Sequence, residues 1–410
     1  MPEAMKKKDP EINKAVEKEL ERQRKQLGMI ASENLAGKAV LEAQGSVLTN
    51  KYAEGLPGDR YYGGCENVDV VEEKAIERAK KLFNAEHVNV QPHSGTQANM
   101  AAYFSVLEPG DTILGPKLSH GGHLSHGSPW SFSGKLFEKI EYKVDRETER
   151  WNHEKIKEMA REHEPDLILT GYSAYPRQID FKAFKEAAEI ADAYLMADIA
   201  HIAGLVAAGE HPKPFPEADI VTGTTHKTLK GARGGFILCK EELGEEINLS
   251  VFPEIQGGPM MHAIAGKAIT FKQAMTKEFK KYQKQVVKNS KELAQTLEKE
   301  EMKIITGGTD THLVLADVTS LNITGKEAED KLQDIGIVLN KNTIPYDKRE
   351  PEDPSGIRIG TPILTERGMK EPEMKKIGKA IIKTLKEESK EQKIKEQVKN
   401  LCKNFPLPYQ

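Results

Sequence analysis

Between about residues 70 and 275 the chain keeps changing its hydrophobic period, and this alternation limits the possible folds more than any other feature. The short apolar runs are Asp111-Thr112-Ile113-Leu114, Asp166-Leu167-Ile168-Leu169, Tyr194 to Ala197, Asp219-Ile220-Val221 and Gly235-Phe236-Ile237-Leu238. Between them, apolar residues return every three or four positions. Continuous short runs suit strands buried on both faces, and intervening helices supply the crossovers that parallel strands need. The pattern predicts an α/β fold, a mostly parallel sheet covered by helices, with ligands bound outside the strand ends.

At 410 residues the chain has room for two domains. A long helical pattern starting near Ile269 carries Phe271, Met275, Phe279, Tyr282, Val286, Leu293 and Leu297, and the domain junction is placed along it. Beyond it, Leu313-Val314-Leu315-Ala316 and a helix from Ile377 to Leu385 read as a smaller α/β unit. Residues 9–27 read as a charged helix whose narrow stripe, Ile12, Val16, Leu20 and Leu27, suits an arm packing on another subunit. The expected division is an arm over 1–27, a large domain over 28–275 and a small domain over 276–410.

Chemistry enters with Lys227, in the run Thr224-Thr225-His226-Lys227-Thr228-Leu229 and just before Gly231-Ala232-Arg233-Gly234-Gly235. An amine pinned there and partly desolvated would lose its proton readily and attack an aldehyde. A surface lysine before a turn is the ordinary alternative. Asp198 ends the apolar run that begins at Tyr194, where a carboxylate is costly unless a cation meets it; a helix-capping aspartate is the rival reading. Third, a β-type run from Val88 stops at Pro92, and Ser94 with Gln97 has the spacing of a capping box. A helix beginning at Ser94, with Gly95 allowing close backbone approach, offers free N–H groups to an anion. Anion cup, acid and lysine, each at a strand end, suit pyridoxal phosphate as an electron sink.

These residues resemble the serine hydroxymethyltransferase family, of archaeal type, whose members are pyridoxal-phosphate enzymes of fold type I. The likeness runs from Ile30-Ala31-Ser32-Glu33-Asn34 to Arg358-Ile359-Gly360-Thr361-Pro362. It includes Asn50-Lys51-Tyr52-Ala53-Glu54-Gly55, Arg60-Tyr61-Tyr62-Gly63-Gly64-Cys65-Glu66 and Gln256-Gly257-Gly258-Pro259. The resemblance implies a large domain with a seven-stranded, mostly parallel sheet and a smaller C-terminal α/β domain. It also implies that Lys227 bonds the cofactor's aldehyde and that Asp198 keeps the ring nitrogen protonated. His123 stacks on the ring, while Ser94, Gly95, Thr96, Ser173 and His226 are further cofactor contacts. His201 either orients a cofactor oxygen or is a structural histidine. Gly257 and Gly258 reach the phosphate from a neighbouring subunit. Arg358, assisted by Ser32, clamps the substrate carboxylate through two parallel bonds. Glu54 does acid–base work with Tyr52 and Tyr62 nearby, all three from the partner, so the active sites are shared in an obligate homodimer. Leu118, Gly122, His123, Leu124 and Asn342 match pterin contacts. The implied reaction moves the hydroxymethyl carbon of L-serine reversibly to a reduced pterin, leaving glycine.

The chain departs from the family at Arg349-Glu350-Pro351-Glu352-Asp353-Pro354, where bacterial relatives carry Ser-Pro-Phe across Glu350 to Glu352. Two added acids and a lost aromatic are expected to weaken contact with the anionic benzoyl-glutamate of folate, leaving tetrahydrofolate and a tetrahydromethanopterin-type carrier both open. Gly223 and Ala232, replacing the usual Thr and Pro, are expected to loosen the lysine's loop. A rival enzyme is a threonine-type aldolase that needs no pterin, and a rival of another class is a regulator or RNA-binding protein without catalysis. A net charge of −3 disfavours nucleic acid. His120, His123 and His126 raise zinc as an alternative, but a further ligand is wanting, so no metal is expected. No run approaches the roughly 20 apolar residues of a membrane span, and Met1-Pro2-Glu3-Ala4 does not begin like a secretory signal. Three scattered cysteines suit the reducing cytoplasm.

Overall fold

The structure, a computed structural model, describes residues 3–387 and 391–409; Met1 and Pro2 of the expected arm, and 388–390 and 410 of the expected small domain, lie outside the described residues. Helix α1 (Pro10–Lys25) lies in the segment expected to form an arm and is capped by Asp9, whose side chain accepts from the Ile12 N–H. Ile12 is 55% exposed and Val16 36%, while Leu20 packs against Leu35, Ile363 and Leu407, so only the outer half of the stripe lacks cover within the protomer. Leu27 has left the helix and, with Gly28, pairs in parallel with Ile337 and Val338.

Helix α2 (Glu66–Phe83) leads to the principal sheet. Its strands are β1 (His87–Asn89), β2 (Thr112–Pro116), β3 (Glu138–Tyr142), β4 (Leu167–Gly171), β5 (Tyr194–Asp198), β6 (Ile220–Thr224) and β7 (Gly235–Cys239), with helix α3 (Gly95–Phe104) following β1. The seven strands lie in the order β1-β7-β6-β5-β4-β2-β3. Strand β7 runs antiparallel to both its neighbours and all other pairings are parallel. Alternate residues divide between two faces. Ile113, Leu167, Leu169, Met196, Ile220 and Ile237 pack with α3, while Leu114, Ile168, Leu195, Ala197, Val221 and Phe236 pack on the opposite side with Phe83. Strand β3 escapes the sequence pattern because Glu138-Lys139-Ile140-Glu141-Tyr142 holds few apolar residues. It lies at the sheet edge, where charges are tolerated.

The helical pattern assigned to one long helix from near Ile269 is two helices, α4 (Met261–Ala274) and α5 (Lys277–Lys299). Thr276 makes the break: its hydroxyl accepts from the Phe279 N–H at 3.2 Å and starts α5. Helix α5 places Phe279 and Val287 in the principal core and Leu293 and Leu297 in a second one. That second core surrounds an antiparallel sheet of β8 (Lys303–Ile304), β9 (Leu313–Asp317), β10 (Asn340–Asn342) and β11 (Gly356–Gly360), in the order β8-β9-β11-β10. Helix α6 (Glu371–Leu385) contributes Ile377 and Ile381 to it.

Candidate active site

Parallel pairing sets Gly171 opposite Asp198 and Asp198 opposite Thr222, so β4, β5 and β6 end together. A cavity of about 190 Å³ opens at that edge, lined by Ser94, Gly95, Thr96, His123, Ser173, Asp198, His201, His226 and Lys227 among others. Nine residues singled out from the sequence thus meet in one place, drawn from the start of α3 and the ends of four strands.

Lys227 lies at the base of this cavity. Burial lowers its pKa to about 8, against the opposing pull of Asp198. Its backbone is fixed by Asn34, whose amide donates to the Lys227 carbonyl at 2.9 Å. The loop that follows is tight: Gly231 N–H donates to the Thr225 carbonyl at 2.7 Å, and the Thr225 hydroxyl to that of Ala232 at 2.6 Å. At Gly223 an added Cβ would lie 2.4 Å from Cζ of Phe236; the aromatic ring occupies the vacated space.

Asp198 is 8% exposed. Burial alone would raise its pKa, but His126 and Asn99 hold it well below the usual carboxylate range. Asn99 donates to Oδ2 at 2.9 Å and the Ala200 N–H to Oδ1 at 2.9 Å. The His126 tautomer follows from its other bond. The His123 N–H donates to Nδ1 at 3.1 Å, so the ring proton sits on Nε2, 2.9 Å from Asp198 Oδ2. Burial lowers the pKa of His126, which keeps that ring neutral. Neither Asn99 nor His126 was assigned to the acid from the sequence. They come from 99 and 72 positions away, and only a resemblance of the whole His-rich turn hinted at a role there.

The start of α3 forms the anion cup. Ser94 caps it, accepting from the Gln97 N–H at 3.2 Å. Gln97 does not complete the reciprocal bond; its side-chain oxygen stands 3.3 Å from the serine hydroxyl. Gly95 must be small, because a Cβ would sit 2.7 Å from Thr224 Cγ2. His226 accepts weakly from the Gly234 N–H at 3.4 Å, and burial pulls its pKa to about 3. His201 is buried and paired through Nδ1 with His312 Nε2 at 3.2 Å, a link between the two sheets. The Tyr172 hydroxyl, which sequence reasoning passed over, is buried at the cavity without a hydrogen-bond partner.

Arg358, on β11, reaches the rim. Its Nη1 donates to the Ser173 carbonyl at 2.7 Å and Nε to Asn340 Oδ1 at 3.2 Å, while Nη2 makes no hydrogen bond among the described residues. Burial lowers its pKa to about 10, which leaves it charged at neutral pH. Gly122 is held beside it by the Ser173 hydroxyl, at 2.6 Å. Ser32 lies in an adjoining cavity of about 290 Å³ that shares His226 and Arg233 with the first.

The residues assigned to the partner subunit do not line this cavity. Tyr52, Glu54, Tyr62, Gly257 and Gly258 form their own cluster. Gly257 faces Glu54, Gly258 faces Tyr52, and the two tyrosine rings meet edge-on at 5.3 Å. Tyr52 and Tyr62 are 55% and 48% exposed, and the Glu54 charge raises the Tyr62 pKa. Leu118 and Leu124 stand exposed on the His-rich turn, and Asn342 lies on β10 with its amide on the Thr343 carbonyl. His120 packs edge-on against Tyr346, and among the described residues no three His, Cys, Asp or Glu side chains gather as a metal site requires. No helix among the described residues is long and apolar enough to cross a membrane.

An amine with a lowered pKa, an ionised buried acid, a helix N-terminus and an arginine at the rim make a donor set that fits pyridoxal phosphate and an amino acid. Compared with models of protein families, residues 5–381 match the one described as serine hydroxymethyltransferase.

Proposed function

The chain belongs to the serine hydroxymethyltransferase family, fold-type-I enzymes that depend on pyridoxal phosphate, and we propose that it moves the hydroxymethyl carbon of L-serine reversibly to a reduced pterin, leaving glycine and the methylene-pterin. The observation that carries this reading is the meeting of Lys227, Asp198 and the start of α3 in one cavity. Bound pyridoxal phosphate supplies an aldehyde for the substrate's amine and a ring that draws electrons from its α-carbon.

The side chains divide the remaining work. Lys227, with its lowered pKa, becomes a neutral amine at a lower pH than an ordinary lysine. Asp198, ionised and fixed by Asn99, His126 and the Ala200 N–H, is suited to hold a proton on a ring nitrogen. Ser94, Gly95, Thr96, Ser173 and His226 would hold the phosphate and ring, with His123 and His201 as further contacts to the cofactor. Arg358 would hold the substrate carboxylate through Nη2, with Ser32 assisting, and so would orient the substrate's α-carbon. Glu54, with Tyr52 and Tyr62, would come from the partner subunit and serve as the proton relay near Cβ, whether serine's hydroxyl is deprotonated or the carrier's amine attacks Cβ; Gly257 and Gly258 of the partner would complete the phosphate site. The active unit is accordingly an obligate homodimer.

Carrier choice rests with Leu118, Gly122, His123, Leu124, Asn342 and the segment before Arg358. There, Arg349 pairs with Asp353, while Glu350 and Glu352 are exposed and make no ion pair among the described residues. Uncompensated acids disfavour an anionic benzoyl-glutamate, so the carrier preference is altered, with tetrahydrofolate and a tetrahydromethanopterin-type carrier both open. Three buried free cysteines suit a reducing compartment, and the enzyme is placed in the cytoplasm. Borohydride reduction of the holoprotein followed by peptide mapping should tag Lys227; a tag elsewhere removes the assignment. Turnover of serine with each carrier tests the rest, and a clear preference for plain tetrahydrofolate sinks the carrier proposal.

A further inference from the structure

Lys267, in the middle of α4, is 1% exposed and has no part in the chemistry above. Its ammonium donates to three main-chain carbonyls: Val90 at 2.6 Å, Pro92 at 2.9 Å and Gly235 at 2.8 Å. Burial pulls its pKa down to about 7. Three acceptors oppose that pull, because a neutral amine has only two N–H groups and would turn its lone pair on a carbonyl. The nearest counter-charge is Glu72, itself buried and paired with Arg60 at 2.6 Å. A fully buried charge is costly, and a methionine would fill the same space without that cost.

What the three carbonyls have in common is their place. Val90 and Pro92 belong to the segment that leads from β1 into Ser94 and the start of α3. Gly235 begins β7, directly after the glycine-rich turn that follows Lys227. The two segments also bond to each other, Gly235 N–H donating to the Pro92 carbonyl at 3.0 Å. They are crowded against the lysine: a Cβ on Gly234 would lie 2.3 Å from Lys267 Cε, and one on Gly235 would lie 2.3 Å from the Ser94 carbonyl oxygen. Removing the ammonium would leave the Val90 and Gly235 oxygens without this donor and free the approach to α3 from the turn beside Lys227.

We propose that Lys267 is a positioning residue for the phosphate end of the cofactor site, bolting the approach to α3 against the turn that follows Lys227 so that the anion cup and the amine are held at a fixed separation. The inference rests on the reading of Ser94, Gly95 and Thr96 as the phosphate cup. It makes a demand that ordinary core packing does not: the loss should fall on the phosphate of the cofactor and spare its ring.

The test compares pyridoxal phosphate with pyridoxal on the full-length protein, freed of cofactor and titrated with each while absorbance or fluorescence is followed. In Lys267→Met the affinity for pyridoxal phosphate should fall by at least about tenfold, and that for pyridoxal by less than about threefold. Equal losses for both ligands, or none, overturn the inference, as does lowered thermal stability with an unchanged affinity ratio. Should that variant not fold, Gly234→Ala, which keeps the ammonium but displaces it, must shift the ratio in the same direction. Ser94→Ala separates the underlying reading. If it leaves the ratio at the wild-type value, the phosphate cup is misplaced; if it lowers the ratio while both other variants do not, Lys267 alone is excluded.

Discussion

A lysine amine that is to attack an aldehyde must shed its proton near neutral pH, and the cavity arranges this mainly by burial, with Arg358 and Arg233 adding to it and Asp198 pulling the other way. Below about pH 8 the nitrogen holds its proton and has no lone pair to offer. Uptake of pyridoxal phosphate by cofactor-free protein should therefore slow about tenfold per pH unit below that value and level off above it; a flat stopped-flow profile from pH 6 to 9 would contradict this. Asp198 invites the opposite experiment. Its lowered pKa stabilises the fold above the ordinary carboxylate pKa of about 4, and this contribution is lost as pH falls toward the native value. His126→Phe removes one of its donors and should cost about 1–3 kcal/mol in urea unfolding at pH 7, with the deficit shrinking in acid. Lys227 and Asp198 were legible in the sequence because each stands at the end of an apolar run. Asn99 and His126 were not, because what they do depends on a side chain far along the chain, and no local spacing records such a contact.

Strand and helix identity followed hydrophobic period wherever an element is buried on one side or both, which is why β2, β4, β5, β6 and β7 were readable. Two features defeated the pattern for physical reasons. Strand β3 lies at an edge and carries charge, and the join between α4 and α5 keeps an apolar stripe running through a break that only Thr276 announces. Substitutions judged one at a time also mislead, as β6 illustrates. Gly223 looks like a loss of substance in the lysine's strand, yet Phe236 on the adjacent β7 fills the gap, stacked on Phe83 at 5.3 Å and edge-on to Phe271 at 5.6 Å. Restoring the family's threonine should therefore harm: Gly223→Thr is expected to cost about 1–3 kcal/mol by overpacking. Pairing it with Phe236→Leu should recover part of that loss, because the two sites compete for one volume. Additive costs in chemical denaturation would argue against the competition.

At the scale of the whole molecule, the proposed function divides one protomer into two half-sites. One is the cavity with Lys227, Asp198 and the nearby Arg358; the other is the cluster of Tyr52, Glu54, Tyr62, Gly257 and Gly258, its tyrosines exposed, absent from the lining of the first. The arm adds an uncovered apolar stripe at Ile12 and Val16. A twofold dimer would bring each half-site against the complementary half of its partner, since an isologous interface repeats every contact twice. The consequence is quantitative. Lys227→Ala and Glu54→Gln should each abolish or nearly abolish turnover in their own homodimers. When the two are unfolded, mixed in equal amounts and refolded together, half the dimers are hybrids. Each hybrid holds one doubly damaged site and one with both wild-type residues, so activity should return to about one quarter of wild type. Sites built within a single chain would give no recovery at any mixing ratio, and that result would remove the shared-site arrangement while leaving the assignment of Lys227 intact.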